Sequence, residues 1–168
     1  MAEAGLFAGE RVELLDGVIV SMSPQSSRHA AVIHRLWRAL ARELGGEFTL
    51  RAQAPVVLGA SSEPEPDLAV CRADTDDYAG AHPTAADLRL VVEVADSSLS
   101  YDRGDKSRSY AAAGVPAYWL VNLVSGRIEV FTDPDTAAGR YKRHQVVADE
   151  ATLPNGRTLK LAEILPPR

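Results

Sequence analysis

Residues 88–95, LRLVVEVA, constrain the fold more than any other segment of the chain. Aliphatic and β-branched side chains fill this segment except at Arg89 and Glu93, a composition that predicts a buried β-strand. Glu93 stands near the carboxyl end of the strand, on the face of Val91 and Ala95. The opposite face is expected to carry Leu88, Leu90, Val92 and Val94. Because an unpaired carboxylate is costly to bury, we expect Glu93 to meet a cation, hydrogen-bond donors or water where the strand ends.

Length and composition indicate one folded domain. The chain has 168 residues, of which 46% are hydrophobic and 24% charged, values typical of a single globular domain. Its single cysteine, Cys71, excludes an internal disulfide and a multi-cysteine metal site. We therefore predict one domain over residues 1–168, in a reducing, cytoplasmic compartment.

No segment predicts export or a membrane span. The first residues lack a basic stretch followed by an apolar run, and Gly114 and Pro116 interrupt the uncharged residues 109–126. The 18 basic and 23 acidic residues give a net charge of -5, which argues against a general polyanion-binding protein. Any contact with nucleic acid is therefore expected to use a local basic patch.

Turn and capping residues divide the sequence into alternating strands and helices. The dipeptide Asp16-Gly17 suits a hairpin turn, Ser26 or Ser27 can cap a helix that Gly45-Gly46 ends, and Asp102 is a candidate N-cap. The predicted order is a hairpin over 12–22, a helix to about residue 44, strands over 48–58, 67–71 and 88–95, a helix over 103–113, a hairpin over 117–132, a strand over 141–147 and an apolar segment over 159–165. This order predicts an α/β (α+β) fold with a mixed central sheet flanked by helices.

The first predicted helix has two different faces. One stripe is apolar and includes His29, and the other is basic. The basic stripe consists of Arg28, Arg35, Arg38 and Arg42. It is a candidate surface for a phosphate backbone, and solvated surface arginines are the alternative interpretation.

Two carboxylates from neighbouring strands are candidates for metal ligands. Asp67 follows Pro66 at the start of one predicted strand, and Glu93 lies 26 positions later near the end of another. If the strands are neighbours, the two side chains can converge. Mg²⁺ binds one or two carboxylates and completes its shell with water and substrate oxygens. An alternative for Asp67 is that it caps the turn after Pro66.

Lys106 is placed by these predictions in the first turn of a helix, where the helix dipole disfavours a cation. The chain has only three lysines against fifteen arginines, so this ammonium suggests a functional role. Asp102 and Asp105 could instead simply neutralise it.

Three segments carry a resemblance to a known family. They are VELLDGVIVSMSP, PEPDLAV and LVVEVADSSLSYDRGDKSRSYAAAGVPAYWLVN, and the similarity extends over about residues 10–134. They resemble the Uma family of restriction-endonuclease-like domains within the PD-(D/E)XK nuclease superfamily. The resemblance implies a restriction-endonuclease-like core preceded by an N-terminal hairpin, with a metal-dependent site that cleaves phosphodiester bonds.

The resemblance also assigns roles to individual residues. Asp67 matches the aspartate of the Pro-Asp motif and Glu93 the acidic residue of the (D/E)-x-K motif, so both would be metal ligands. Ala95 occupies the usual position of the motif lysine. Lys106 matches a lysine that has migrated to the following helix, with a role in positioning or deprotonating the attacking water that favours a lowered pKa.

Three further residues are candidates for the same site. Glu13 matches an acidic position of the family and could contact metal or water, or it could be an exposed strand residue. His29 matches a histidine near the helix start, and a core histidine with its polar edge satisfied is the alternative. Tyr110 lies one helical turn from Lys106 and could orient it, although packing of the helix on the sheet explains it equally well.

The resulting hypothesis is an endonuclease dependent on Mg²⁺ (or Mn²⁺) that hydrolyses nucleic-acid phosphodiester bonds, with DNA as the expected partner and a homodimer as the expected assembly. The acidic net charge and Ala95 favour an alternative, a non-catalytic nucleic-acid-binding or regulatory domain that retains the nuclease fold. A hydrolase of smaller phosphate esters is a third possibility.

Overall fold

A computed structural model describes residues 11–165, which form a mixed sheet with helices on both faces. From the amino to the carboxyl end the strands are β1 (Val12–Leu15), β2 (Val18–Ser21), β3 (Phe48–Ala52), β4 (Leu68–Arg72), β5 (Leu88–Ala95), β6 (Ala117–Asn122), β7 (Arg127–Asp135), β8 (Arg140–Val147), β9 (Glu150–Thr152) and β10 (Thr158–Lys160). The predicted α/β (α+β) class with a mixed central sheet is confirmed.

The central sheet has the strand order β3-β4-β5-β6-β7-β8. Within it β5 and β6 are parallel, and the other neighbouring strands are antiparallel. The parallel pair needs a crossover, which the helix between β5 and β6 supplies. Two small hairpins, β1-β2 and β9-β10, lie outside this sheet. Asp16 and Gly17 form the first turn with φ values of 50° and 81°, as a type I′ turn requires.

Helix α1 (Ser27–Leu44) begins and ends at the predicted signals. The Ser26 hydroxyl accepts a hydrogen bond from the backbone N–H of His29, and Gly45 ends the helix in the left-handed conformation. Helix α3 (Leu161–Ile164) follows β10. In the part of the chain that the structure describes, no helix combines the length and hydrophobicity needed to cross a membrane.

The hydrophobic core has two parts, one on each face of the sheet. Helix α1 packs on the first face, where Leu36 and Leu40 meet β-strand residues such as Val92 and Trp119. On the second face Tyr110 packs against Tyr118 of β6, with ring centroids 5.1 Å apart. Because both faces of β5 are buried, its sequence is almost continuously apolar.

The predicted strand over residues 48–58 is too long. It ends at Ala52 because Gln53 has a φ of 48°, which interrupts extended backbone. An unbroken strand over 48–58 would place Leu50 and Val56 on the same face, but Val56 packs on the second face while Leu50 packs on the first.

The predicted face of Leu88 is wrong because β5 contains a β-bulge. Cys71 pairs with Leu88 and Val70 with Leu90, so Arg89 is an extra residue in the ladder. This bulge turns Leu88 to the second face.

The helix predicted over residues 103–113 begins earlier. An α-helical turn (Leu99–Tyr101), a π-helical segment (Asp102–Lys106) and an α-helix (Ser107–Ala112) follow one another without a break, and we call residues 99–112 helix α2. Asp102 therefore lies inside the helix instead of capping it, and Lys106 is not in the first turn. The interpretation of Lys106 from the helix dipole is wrong.

Glu129 ties helix α2 to strand β7. Arg103 donates hydrogen bonds of 2.9 and 2.6 Å to the two carboxylate oxygens of Glu129, whose side chain is 7% exposed. Burial alone raises the pKa of Glu129, but Arg103 outweighs burial and holds that pKa below its ordinary value.

We expect Glu129→Gln to lower the free energy of unfolding at pH 7 by on the order of 1–2 kcal/mol. A depressed carboxyl pKa stabilises the fold above the ordinary pKa and ceases to do so as the pH falls through the folded-state pKa. The difference from the parent protein should therefore shrink in acid. Urea titrations at pH 7 and pH 3 measure it, with Glu150→Gln at an exposed site as the control. An equal difference at both pH values would contradict this prediction.

Candidate active site

The carboxylates of Asp67 and Glu93 meet at one edge of the sheet. Leu68 of β4 pairs with Val92 of the antiparallel β5, which places the start of β4 beside the end of β5. The Asp67 side chain accepts a hydrogen bond of 2.8 Å from the backbone N–H of Val94, and the backbone N–H of Asp67 lies 3.4 Å from Oε2 of Glu93. The structure thus brings together the two residues that sequence spacing predicted. Asp67 holds β5 by its side chain and does not cap its own turn.

Lys106 reaches the same edge from helix α2. Its Nζ atom lies 2.9 Å from Oε1 of Glu93 and 3.1 Å from Oε2 of Glu13. All three side chains are at most 5% exposed. Glu13 is therefore not an exposed strand residue, and its carboxylate is a direct partner of Lys106. Of the two suggested neutralising partners, Asp105 is exposed and pairs with Arg108, whereas Asp102 is buried and its charge acts on Lys106.

Hydroxyl groups complete the hydrogen bonding of the carboxylates. Tyr110 donates a 2.8 Å hydrogen bond to Oε1 of Glu93, the oxygen that also contacts Lys106. Tyr101 donates to Glu13 at 3.4 Å, and Ser98 donates to Asp102. Tyr110 thus acts on Glu93 and not on the lysine that sequence spacing paired it with.

His29, near the start of helix α1, faces the carboxylate of Asp67. Its Nε2 atom lies 3.2 Å from Oδ2 of Asp67. Burial lowers the pKa of His29, but the hydrogen bond and charge of Asp67 outweigh burial and raise that pKa above its ordinary value. His29 thus positions the Asp67 carboxylate at the sheet edge.

Burial and crowding shift the titration of the acidic groups. Burial raises the pKa of Glu93 to about 8, although Lys106 opposes the shift. Burial likewise raises the pKa of Asp102 to about 6. Four carboxylates, Glu13, Asp67, Glu93 and Asp102, therefore compete for few positive charges.

Lys106 is a permanent cation in this environment. Burial alone lowers the pKa of an ammonium, but the charges of Glu93, Glu13 and Asp102 outweigh it and raise the pKa of Lys106 above its ordinary value. The expectation of a lowered pKa is wrong. Lys106 can donate hydrogen bonds and offset negative charge, but it cannot accept a proton near neutral pH.

The arginine row lies outside this cluster. All four members are exposed on helix α1: Arg28, Arg35, Arg38 and Arg42. Arg42 pairs with Glu43 and Glu163, and Arg28 donates to the carbonyl of Leu123. Their predicted role as a phosphate-binding surface stays a prediction.

Sequence reasoning did not assign Gln53 to the site, and it gave Asp102 only as an N-cap or as a neutralising partner of Lys106. Asp102 is 3% exposed beside Lys106, but its position before a helical segment suggested an N-cap. Gln53 donates a 3.4 Å hydrogen bond to Oδ1 of Asp67, and no sequence signal indicated this residue. Asp102 and Lys106 are the ends of the π-helical segment, and such segments often mark functional sites.

An open pocket of about 300 Å³ adjoins the cluster, lined by Glu13, His29, Asp67, Glu93 and Lys106 among others. Among residues 11–165, no group of three or more His, Cys, Asp or Glu side chains is arranged to hold a metal ion. The donor set fits Mg²⁺, which needs only one or two protein carboxylates and retains several waters. Oδ1 of Asp67 and Oε2 of Glu93 have hydrogen bonds of 3.4 Å in the described residues, so both oxygens are weakly engaged.

Comparison with known proteins identifies the fold and the family of the chain. No curated protein matches the sequence. A crystal structure of "a putative nuclease belonging to DUF820" from Anabaena variabilis ATCC 29413 is similar, with a TM-score of 0.69 and 12% identity over 91% of this chain and 88% of that chain. At this identity the likeness shows a shared nuclease-like fold. The Uma2 family, described as "Putative restriction endonuclease", matches residues 4–167, and this chain therefore belongs to that family.

Proposed function

We propose that the protein is an endonuclease that hydrolyses DNA phosphodiester bonds with the help of Mg²⁺ or Mn²⁺. The convergence of Asp67 and Glu93 at one sheet edge, with Lys106 2.9 Å from Glu93 and an open pocket beside them, carries this proposal. Membership of a restriction-endonuclease family supports it. A homodimer of single-domain chains in the cytoplasm is the setting we propose for it.

Each residue of the cluster has a distinct role in this proposal. Asp67 and Glu93 would hold Mg²⁺, which when bound supplies charge stabilisation and a water of lowered pKa. Asp67 is positioned by His29 and by the backbone N–H of Val94. Tyr110 fixes the Glu93 carboxylate, which limits its rotation as substrate arrives.

Lys106 would act as a fixed positive charge. As a permanent cation it can donate a hydrogen bond to an oxygen of the scissile phosphate or to the attacking water, and it can stabilise negative charge that builds up there. A group other than Lys106 must then remove the proton from the attacking water. Among the exposed arginines of helix α1, Arg35 and Arg38 would contact the DNA backbone farther from the cut.

One observation favours a second candidate, a nucleic-acid-binding or regulatory domain without turnover. The position of the family lysine holds Ala95, which is fully buried, and the replacement ammonium of Lys106 is already engaged by two carboxylates. A substrate phosphate must compete with those carboxylates for Lys106.

We expect Asp67→Asn to reduce plasmid nicking by about 100-fold or more, because it removes one of two carboxylates that hold the metal. The assay uses supercoiled plasmid with Mg²⁺ or Mn²⁺, and with EDTA as the blank. Asp105→Asn is the matched control, since this carboxylate is exposed and lies outside the pocket.

The outcomes separate the candidates. Nicking that persists in the Asp67→Asn protein contradicts the assignment of the site. Absence of nicking in the parent protein, together with DNA binding, favours the binding domain. Cleavage of small phosphodiesters but not of plasmid would assign a smaller phosphate ester as substrate.

A further inference from the structure

Trp37 is a large aromatic side chain left open to solvent. It is 42% exposed on helix α1, whereas the other large hydrophobic side chains exposed among the described residues are aliphatic. Trp119, the second tryptophan of the chain, is 1% exposed in the core. An exposed indole on a rigid helix provides a flat surface for stacking at little cost in conformational entropy.

Trp37 lies on a path that leads to the active site. It lines one depression together with Gln25 and Gln53 and a second one with Arg35 and Arg38. Gln25 also lines the pocket of the carboxylate cluster, and Gln53 donates its hydrogen bond to Asp67. The two depressions share Trp37, and the first shares Gln25 with the pocket of the carboxylate cluster, so the three lie next to one another and we call them one tract.

The charge along this tract is suited to a polyanion. Arg35 and Arg38 are exposed and form no ion pair within residues 11–165. Their charges are available to phosphates, whereas Arg42 at the far end is held by Glu43 and Glu163. An aromatic platform beside free arginines is the arrangement by which proteins bind single-stranded nucleic acid.

We propose that Trp37 stacks on a base of an unpaired DNA segment that leads into the active site, while Arg35 and Arg38 contact its phosphates. This inference rests on the proposed nuclease function and adds the state of the substrate. A base within a duplex has both faces covered by its neighbours, so a base that stacks on Trp37 must come from a single strand, an end or an opened stretch.

Fluorescence titration tests the proposal without cleavage. In EDTA, addition of oligothymidylate should quench tryptophan emission, and Trp37 should carry the change because Trp119 is buried. Trp37→Leu, which keeps an apolar side chain, should weaken binding by about tenfold or more, as measured by anisotropy of a labelled oligonucleotide. Trp37→Phe should retain most of the affinity. Val146→Ala, at another exposed apolar site, is the control.

Each alternative ligand of the Trp37 surface predicts a different experimental result. Equal affinity of Trp37→Leu and the parent protein overturns the proposal, as does tighter binding of a fully paired duplex of the same length. A change in emission that depends on protein concentration without DNA would assign the surface to a second copy of the chain. Tighter binding of the matching oligoribonucleotide would overturn the assignment to DNA. Intact quenching with no nicking in Mg²⁺ would contradict the nuclease function and leave the Trp37 site standing.

Discussion

Replacement of Lys106 by methionine should lower the free energy of unfolding at pH 9 by on the order of 3–5 kcal/mol. Methionine fills similar space, but it leaves Glu13 and Glu93 without the ammonium that lies within 3.1 Å of both. Because these carboxylates are almost fully buried, water compensates the lost cation only in part. Removal of one partner from a buried ion pair costs far more than the pair itself contributes.

The loss should be smaller at low pH. Without Lys106 the pKa values of Glu93 and Asp102, already raised by burial, rise further. The folded variant then binds more protons than its unfolded chain, so its stability increases relative to the parent as the pH falls. Guanidinium titrations at pH 9 and pH 5 measure the effect, with Lys142→Met, at an exposed position, as the control. A variant as stable as the parent at pH 9 would contradict the prediction.

The two acidic residues of the site could be predicted because their positions follow from rules of local structure. A Pro-Asp pair before an apolar run marks the start of one strand, and Glu93 interrupts another. Strand pairing then brings a start and an end to the same edge. The cap residues of helix α1 are equally local, since Ser26 and Gly45 act on backbone groups within four residues.

The environment of Lys106 could not be predicted because tertiary contacts decide it. Asp102 is a good N-cap by residue type, but in the structure it is buried and accepts its hydrogen bond from Ser98, one turn earlier. The helix therefore starts at Leu99, and its π-helical segment turns Lys106 toward Glu93 and Glu13. Nothing in the local sequence indicates that Glu13, 93 positions away, is buried beside this lysine. The same limit applies to Gln53. Its backbone is left-handed, a conformation that glycine or asparagine usually marks in a sequence, so the residue type did not predict it.

The Glu93 carboxyl should make the protein less stable as the pH rises, and Glu93→Gln should remove that dependence. Burial raises the pKa of Glu93 to about 8, against the opposing charge of Lys106. A raised carboxyl pKa stabilises the fold fully below the pKa of the unfolded chain, and this contribution is lost as the pH rises through the folded-state pKa. Glutamine resembles the protonated carboxyl and does not titrate. Between pH 4.5 and pH 8, the variant should gain on the order of 3 kcal/mol relative to the parent.

Glu129→Gln provides the contrast that makes this measurement specific. Glu129 is similarly buried, but Arg103 lowers its pKa. Glu129→Gln should therefore be less stable than the parent at neutral pH, and this difference should disappear only in acid. Denaturant titrations of both variants in EDTA should therefore give pH profiles of opposite slope relative to the parent, with the slope of Glu129→Gln below pH 4.5 and that of Glu93→Gln between pH 4.5 and pH 8. Opposite slopes would show that burial favours the protonated form of Glu93, whereas Arg103 favours the ionised form of Glu129. A difference for Glu93→Gln that stays constant from pH 4.5 to pH 8 would mean that Lys106 fully compensates the buried carboxylate.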